Sequence, residues 1–311
     1  MNDEFRAWRE QTYAADNIGE VKSTRGYRHD YLAMVLDFSE KGSVKIDMTK
    51  YMKQLVEDFP DKLNDYAPGA WTQGLFDVDP KSPKASPEKA NIFHQFTMKI
   101  MFAAKRGRQD LLTGVSFLST RTKVTTVQDY EKLRKMMSFI KATWMDVAKI
   151  TLDDSNTMKW YVDASFACHP DMRSHTGAVL IMGKGAISSD SKKQKVNSKS
   201  TTESELIGLD DVISKILWGK LFMEAQGYKV KVIVYRDNES TMKLEQNGQE
   251  SLGKRTRHFN IKYFYATDLI QRGELSIEYC NTDDMIADYM TKATVGQKFK
   301  GFREDIMNLN G

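Results

Sequence analysis

The sequence predicts an α/β protein whose second half is a mixed five-stranded sheet with flanking helices, preceded by a mainly helical region. Three observations lead to this prediction. Short strand-like segments separated by turn residues follow one another after about residue 151, a long helical segment lies between the third and fourth of them, and further helical segments follow the fourth and the fifth. Consecutive strands joined by turns are antiparallel and strands separated by a helix are parallel, so a mixed sheet is expected.

The composition is that of an ordinary globular protein. The 311 residues are 41% hydrophobic and 28% charged, and the length favours two domains. The formal net charge of +4 permits a polyanionic partner without requiring one. Cys168 and Cys280 are too far apart for a zinc motif, and two cysteines make no disulfide scaffold. The sequence shows neither a signal peptide nor a transmembrane segment, so an intracellular protein is expected.

The first half begins with strand-like text and then becomes helical. A stretch rich in proline, Gly, Ser and Asp interrupts it and is predicted to be a loop. In the helix predicted at 126–143, one apolar face is formed by Tyr130, Leu133, Met137 and Ile140. The predicted elements are strands at 30–38 and 43–47 around the turn Glu40-Lys41-Gly42, a helix at 48–59, a loop at 60–90, and helices at 91–106 and 126–143.

The second half has the alternating text of an α/β domain. Its long helix stops at Gly227, a residue that often ends helices. The predicted strands are 158–166, 176–183, 185–192, 229–237 and 274–281, and the long helix is 201–227.

Three aspartates are placed where an active site can form. Asp163 ends the first strand of the second half, and Asp237 ends a later buried-looking strand. If these two strands are adjacent, the two carboxylates are neighbours. Asp288 lies at the start of the last predicted helix and is a third candidate.

A fourth carboxylate comes from the long helix. Glu205 lies in its first turn, in register with Leu209, Val212 and Ile216, and is therefore expected to face the sheet. Glu203 is expected to face away.

Several carboxylates together are costly unless cations neutralise them. Oxygen-only ligands favour Mg²⁺ or Mn²⁺ over zinc. Two such ions, about 3.5–4 Å apart, suit in-line displacement at phosphorus. The carboxylates therefore predict a two-metal phosphoryl-transfer site.

Each candidate also has a structural alternative. Glu205 can close a capping box with Thr202, Asp237 can belong to a turn with Asn238, and Asp288 can stabilise a helix N-terminus. Four carboxylates in the order Asp, Glu, Asp, Asp on alternating strands and helices favour the metal site over four unrelated roles.

At this point the sequence resembles a known family, the ribonuclease H domain of copia-type LTR retrotransposon polyproteins. Residues 31–59 and 93–121 are similar to the parts of these polyproteins that follow the polymerase catalytic motif and form the thumb and connection. The motifs that carry the resemblance are Pro170-Asp171-x-Arg173-x-x-x-Gly177, Ser191-Lys192-Lys193-Gln194, Ser200-Thr201-x-Glu203-x-Glu205, Asp237-Asn238, Arg255-x-x-His258 and Ala287-Asp288-x-x-Thr291-Lys292.

The resemblance implies a ribonuclease H-like domain at 151–311, preceded at 1–150 by a partial reverse transcriptase with the end of the palm and the thumb and connection. It implies an endonuclease that hydrolyses the RNA strand of RNA–DNA hybrids with two Mg²⁺ or Mn²⁺ ions. The implied catalytic and metal-binding residues are Asp163, Glu205, Asp237 and Asp288. Glu203 is a rival to Glu205, and Asp284 is a weaker rival to Asp288.

Substrate contacts are predicted mainly in two basic segments next to the carboxylates. A solvated loop is the alternative for the lysine run, and a surface role is the alternative for His258. The predicted substrate-binding residues are Lys192, Lys193, Lys195, Ser200, Thr201, Asn238, Arg257 and His258. The aromatic residues are expected in the core rather than on nucleic-acid bases; they are Trp160, Trp218, Phe222, Tyr263, Phe264 and Tyr265.

A Tyr-x-Asp-Asp motif is absent from the sequence. DNA polymerase activity is therefore not expected from this chain alone, and the chain is expected to be a C-terminal fragment of a reverse transcriptase. Two alternatives remain, a non-catalytic nucleic-acid-binding fragment and a decayed transposon product. The expected partners are an RNA–DNA hybrid and other reverse transcriptase or polyprotein segments, without a membrane. The expected location is the cytoplasm, with the nucleus or virus-like particles as alternatives.

Overall fold

The computed structural model describes residues 2–13, 25–248 and 265–310. Two five-stranded sheets carry the fold. Helix α1 (Asn2–Tyr13) precedes the first sheet in the chain.

The first sheet is antiparallel throughout. The strand predicted at 30–38 is instead two strands, because Leu32 and Ala33 turn the chain with φ angles of 48° and 63°. Neither residue is a Gly or Asn that would announce such a turn, so the pattern alone predicts one strand. The first four strands of this sheet are β1 (Arg28–Tyr31), β2 (Met34–Asp37), β3 (Ser43–Asp47) and β4 (Ala148–Leu152).

Helices fill the chain between β3 and β4. The helices predicted at 48–59, 91–106 and 126–143 are confirmed within a few residues. The side chain of Ser86 accepts a hydrogen bond at one N-terminus, and Thr126 forms a capping box with Asp129 at another. The helices are α2 (Thr49–Glu57), α3 (Pro87–Ala104), α4 (Leu112–Ser119) and α5 (Val127–Thr143). Helix α4 was not predicted, since Thr113-Gly114-Val115 has low helix propensity.

The second sheet confirms the predicted mixed five-stranded architecture. Its central strand β5 is antiparallel to β6 and parallel to β9, and the order across the sheet is β10-β9-β5-β6-β8. The five strands of this sheet are β5 (Thr157–Ser165), β6 (His175–Ile181), β8 (Ala186–Lys193), β9 (Lys231–Arg236) and β10 (Ser276–Tyr279). A further short strand, β7 (Gly183–Lys184), lies between β6 and β8 in the chain. The short β7 pairs with β4 and is the fifth strand of the first sheet.

Helices connect and cover the second sheet. They are α6 (Thr201–Ala225), α7 (Glu239–Asn247), α8 (Tyr265–Gln271), α9 (Asp288–Thr291) and α10 (Gly296–Met307). The last helix predicted from sequence, at Asp288, is a single turn, and a longer helix follows it.

Side chains alternate between the two faces of β5. Met158, Trp160 and Val162 enter one core, together with Leu209 and the rest of the apolar face of α6. A second core lies around the helices of the first half of the chain and includes residues from both halves of the sequence, among them Phe93, Tyr130, Val179, Tyr289, Phe299 and Phe302.

The prediction that the aromatic residues are core is partly wrong. Trp160 is buried, but Trp218 and Phe222 are 66% and 50% exposed, and Tyr265 is exposed as well. Trp218 and Phe222 stack on each other on the outer face of α6, whereas Leu217 and Met223 of the same stretch pack against the core. Tyr263 and Phe264 lie outside the described residues.

Residue 150 lies within β4, so the predicted division at 150 and 151 falls inside a strand. The division into two domains stays a prediction. Among the described residues, every helix is too short or too polar to cross a membrane.

Candidate metal centre

Asp163 lies in the central strand, paired with Gly177 of β6. The strand predicted at 158–166 is confirmed within a residue as β5, so Asp163 lies two residues before the end of the strand rather than at its end. The side chain is buried, and its Oδ2 accepts a hydrogen bond from the hydroxyl of Thr291. Asp163 is therefore fixed between its own strand and α9.

Asp237 follows the neighbouring strand directly. Because β5 and β9 are parallel, with Tyr161 opposite Tyr235, the two aspartates reach the same edge of the sheet, as the sequence predicted. Asp237 is partly buried, and its Oδ2 accepts a hydrogen bond of 3.3 Å from Thr282.

Asp288 begins α9 and completes a group of three carboxylates. One oxygen of each of Asp163, Asp237 and Asp288 lies within 4.8 Å of the other two. Lys292 Nζ is 2.5 Å from Asp288 Oδ1 and 3.6 Å from Asp163 Oδ2. Lys298 Nζ is 3.1 Å from Asp288 Oδ2. The three carboxylates thus face each other and are partly neutralised by two lysines.

Two glycines allow this close packing. A Cβ on Gly177 would lie 2.5 Å from Thr291 Cγ2 and 2.8 Å from Met290 Cβ, so only glycine lets α9 rest on β6. A Cβ on Gly208 would lie 3.3 Å from the Cβ of Ala164, so α6 also runs close to β5.

Glu205 faces the sheet from α6 and is buried, as predicted. Its Oε2 is 3.1 Å from a guanidinium nitrogen of Arg236, and it is not part of the three-carboxylate group found among the described residues. Burial raises the pKa of Glu205 well above its usual range; Arg236 opposes this shift, and Asp163 and Asp237 add to it. Glu205 therefore stands beside the group, held by a buried cation.

The rivals have other roles. Glu203, not Glu205, closes the cap of α6: Ser200 Oγ accepts from the amide of Glu203, and Glu203 accepts from the amide of Lys199 at 2.6 Å. The alternative role of Glu205, a capping box with Thr202, is therefore not formed, because Ser200 is the N-cap residue. Glu203 is also buried, contrary to the expectation that it faces away. Asp284 lines a separate cavity of about 350 Å³ next to Tyr161.

Predicted substrate residues mostly make contacts within the protein. Lys192 donates to the carbonyl of Asp211 at 2.8 Å, and Lys193 pairs with Asp171 at 2.5 Å. Ser200 caps α6, and Asn238 caps α7. Lys195 and Thr201 are exposed. Arg257 and His258 lie outside the described residues.

A chain of hydrogen bonds reaches α9 from two buried histidines. Ser191 Oγ donates to the carbonyl of Met290 at 2.7 Å, so His175 Nε2 must donate to Ser191 Oγ, also at 2.7 Å. His175 Nδ1 then accepts from His169 Nε2 at 2.8 Å. Both rings are neutral in this arrangement. Burial lowers the pKa of His169 to about 4, with Lys193 adding to the shift, and lowers the pKa of His175 well below its usual range.

Sequence reasoning missed the cations of the site. Lys292 lies four residues after Asp288, a helical spacing at which side chains meet, and this was an available signal. Arg236 could have been noticed as a charge at the end of an apolar strand. No local signal marked Lys298 or the histidine chain, because these contacts depend on tertiary packing.

The donor set fits a hard divalent cation. All three clustered groups are carboxylates, two of them buried, and like charges this close require a positive charge between them. The protein supplies lysine nitrogens there, on side chains that are 41% and 38% exposed and can move aside. Asp163, Asp237 and Asp288 could therefore hold Mg²⁺ or Mn²⁺.

Comparison with known proteins identifies relatives over much of the chain. The Pol polyprotein of transposon TNT 1-94 from Nicotiana tabacum is 27% identical over 228 residues, 71% of this chain. That of transposon RE1 from Arabidopsis thaliana is 25% identical over 64% of this chain, and the Ty1-NL2 Gag-Pol polyprotein of Saccharomyces cerevisiae is 25% identical over 91%. This chain spans 14–17% of the length of these relatives. No family model matches.

Solved structures with some similarity include ribonuclease H1 of Halobacterium salinarum, with 14% identity and a TM-score of 0.32. That similarity covers 43% of this chain and 94% of the other. LC11-RNase H1 from compost has 17% identity and a TM-score of 0.34, covering 44% of this chain and 93% of the other. The sequence relatives named above show that the homologues of this chain are copia-type Pol polyproteins from plants and yeast, as the sequence motifs predicted.

Proposed function

We propose that this relative of copia-type Pol polyproteins is a metal-dependent endonuclease of the ribonuclease H type, which hydrolyses the RNA strand of RNA–DNA hybrids. One observation carries the proposal: Asp163, Asp237 and Asp288 converge within 4.8 Å at the edge of a mixed sheet whose central strand holds Asp163. The homology to Pol polyproteins, which act in an element copied through RNA, supports the substrate class.

The proposed ligands are the three aspartates, with Glu205 for a second ion. Bound Mg²⁺ or Mn²⁺ would supply activation of water and stabilisation of charge on the phosphate. The chain's own residues orient the ligands: Thr291 holds Asp163 by a hydrogen bond, and the lysines hold Asp288. If a metal ion took its place beside the carboxylates, Lys292 would be free to contact a phosphate.

The test is cleavage of a hybrid carrying a label on each strand. The parent chain with Mg²⁺ or Mn²⁺ should cut the RNA strand only, and EDTA should stop it. Asp163→Asn and Glu205→Gln should each lower the rate about 100-fold or more, since several kcal/mol of charge stabilisation are lost.

Matched controls separate ligands from neighbours. Glu203→Gln keeps the cap, because the amide oxygen still accepts a hydrogen bond, and should cleave at nearly the parental rate. Asp284→Asn should also cleave, whereas Asp288→Asn should not. If Glu203→Gln and Glu205→Gln cleave the hybrid at the same rate, Glu205 is not a metal ligand.

One observation favours a second candidate, a non-catalytic nucleic-acid-binding protein. Lys292 and Lys298 already neutralise Asp288, and Arg236 already pairs with Glu205, so the protein itself satisfies these carboxylates. A folded chain that binds the hybrid equally with metal or EDTA and never cleaves it would establish this function instead.

A further inference from the structure

Arg236 is a buried cation placed among the proposed ligands. It is the last residue of β9, directly before Asp237, and its side chain is 1% exposed. By the alternation of the strand it lies on the same face as Val232 and Val234, toward α6. A charge at this position needs partners inside the protein.

The guanidinium is fixed by two backbone carbonyls. One nitrogen donates to Val162, the residue before Asp163, at 2.9 Å. The other donates to the carbonyl of Glu205 at 2.8 Å. Arg236 is thus tied to the chain next to three of the four proposed ligands.

Two buried carboxylates compete for this one cation. The same nitrogen of Arg236 lies 3.1 Å from Glu205 Oε2 and 3.1 Å from Glu245 Oε1. Glu245, on α7, is fully buried, and neither of its oxygens has a properly oriented hydrogen bond within the described part of the chain. A single carboxylate would be enough to neutralise a structural arginine, so the second carboxylate calls for a separate explanation.

We propose that Arg236 is a positioning residue that holds Glu205 until a second metal ion binds, and that Glu245 is the counterion that then remains with Arg236. This inference rests on the proposed function. Glu205 lies outside the group formed by the three aspartates, and its Oε2 lies against Arg236. In this proposal that oxygen leaves Arg236 when the carboxylate joins a metal ion. Leaving a buried arginine unpaired is costly, and Glu245 removes that cost.

The pair of Arg236 and Glu245 therefore sets the affinity for the second ion and leaves the first ion to the aspartates. Residues that orient metal ligands typically change metal affinity about 10–100-fold when they are replaced. In Glu245→Gln, Glu205 is the one carboxylate within 4 Å of Arg236 that remains among the described residues, and it is released less readily. In the double variant Arg236→Met and Glu245→Leu, nothing holds Glu205 back.

The experiment measures Mn²⁺ binding to the full chain by electron paramagnetic resonance of the free ion, without substrate. The parent should bind two ions, and Glu205→Gln should bind one. Glu245→Gln should bind the second ion about 10–100-fold more weakly with the first unchanged. The double variant should bind the second ion at least as tightly as the parent does. Circular dichroism checks that each variant is folded.

The outcomes separate this inference from the proposed function. If the parent binds two ions and the affinity for the second is the same in Glu245→Gln and in the double variant, Arg236 and Glu245 are only structural. If the variant Asp163→Asn binds Mn²⁺ as the parent does, the proposed function itself fails. Should Glu245→Gln not fold, the double variant decides: second-ion binding weaker than in the parent overturns the inference.

Discussion

At the scale of residues, the neutral histidine chain makes the structure sensitive to acid. His169, His175 and Ser191 pass hydrogen bonds in one direction to the carbonyl of Met290, two residues after Asp288. Protonation of His175 would put a hydrogen on Nδ1, the atom that accepts from His169, and the chain would break. The support of α9, and with it the position of Asp288, depends on both rings staying neutral.

We expect stability to fall between about pH 6.5 and pH 4 because of these histidines. Their pKa values are lower in the folded than in the unfolded chain, so their contribution is complete above about pH 6.5 and is lost as the pH falls toward 4. The slope approaches about 1.4 kcal/mol per pH unit for each histidine. Urea unfolding of the parent at several pH values measures it.

The variant His169→Gln with His175→Gln should lose this slope, whereas His94→Gln, at an exposed position, should keep it. Glu245 acts in the opposite direction, because burial raises its pKa to about 7 against the pull of Arg236, and its cost is relieved as the pH falls. Because Glu245 is present in both proteins, the difference in the pH dependence of stability between the parent and the variant His169→Gln with His175→Gln isolates the contribution of the histidines. If the variant with both histidines replaced shows the same pH dependence of stability as the parent, the prediction is contradicted.

At the scale of elements, the site depends on how closely two helices approach the central sheet. Helix α9 has one turn and few interactions of its own, so its packing on β6 positions Asp288 and Thr291. That packing requires the absence of a side chain at Gly177. The geometry of the carboxylates is therefore set by the contact between α9 and the sheet.

The substitution Gly177→Ala should destabilise the fold by about 1–3 kcal/mol, because the added Cβ has no space between β6 and α9. It should also raise the Mn²⁺ concentration needed to fill the site. Urea unfolding and Mn²⁺ titration measure the two effects.

Gly301→Ala is the matched control, because Gly301 lies in α10 with nothing within 4 Å of the position of a Cβ. That variant should gain up to about 1 kcal/mol of helix propensity without a change in Mn²⁺ affinity. If the two variants are equally stable, α9 shifts to accommodate the added Cβ at little cost, and the prediction is contradicted.

At the scale of the whole molecule, the C-terminal helix α10 connects the site to the first half of the chain. Arg303 Nε donates to Asp110 Oδ2 at 2.8 Å, and Asp110 also accepts from Arg108 at 2.9 Å. Phe299 and Phe302 enter the core formed by the helices of the first half. Since α10 follows α9 closely, the position of Asp288 is coupled to this packing.

Asp110→Asn should therefore destabilise the protein by about 3–5 kcal/mol, because it leaves the buried Arg108 without its paired carboxylate and takes one of two carboxylates from the half-buried Arg303. Burial alone would raise the pKa of Asp110, but Arg108 and Arg303 outweigh it and hold the pKa at about 2. The contribution is complete above about pH 4 and is lost as the pH falls toward 2. Urea unfolding at neutral pH measures the loss.

Asp65→Asn serves as the control, because Asp65 pairs with Lys141 on the surface and is almost fully exposed. That variant should show little measurable change. If the two variants unfold at the same urea concentration, the buried network contributes no more than a surface pair.

The fold of the second sheet was predictable because its strands are short, apolar and separated by clear turns. Glu205 and the neighbouring aspartates Asp163 and Asp237 followed from strand ends and helical periodicity. The turn at Leu32 was not predictable because no Gly or Asn marks it, and helix α4 was not predictable because its sequence has low helix propensity. Among the cations of the site, Lys298 depends on tertiary packing that no local pattern records, whereas Lys292 and Arg236 did leave local signals. Trp218 was misplaced because it lies on the outer face of α6, opposite the buried Val212 and Ile216.

The close approach at Gly177 and Gly208 also has a consequence for how copies of such a gene diverge. Neither glycine carries a reactive group, yet a side chain at Gly177 would displace α9, which bears a proposed ligand, and a side chain at Gly208 would press on Ala164, the neighbour of Asp163. In copies that natural selection maintains for the carboxylates, both glycines should resist substitution as strongly as the acids do. In copies released from selection, the two glycines should mutate at the neutral rate, so their substitution frequency records whether the centre was in use.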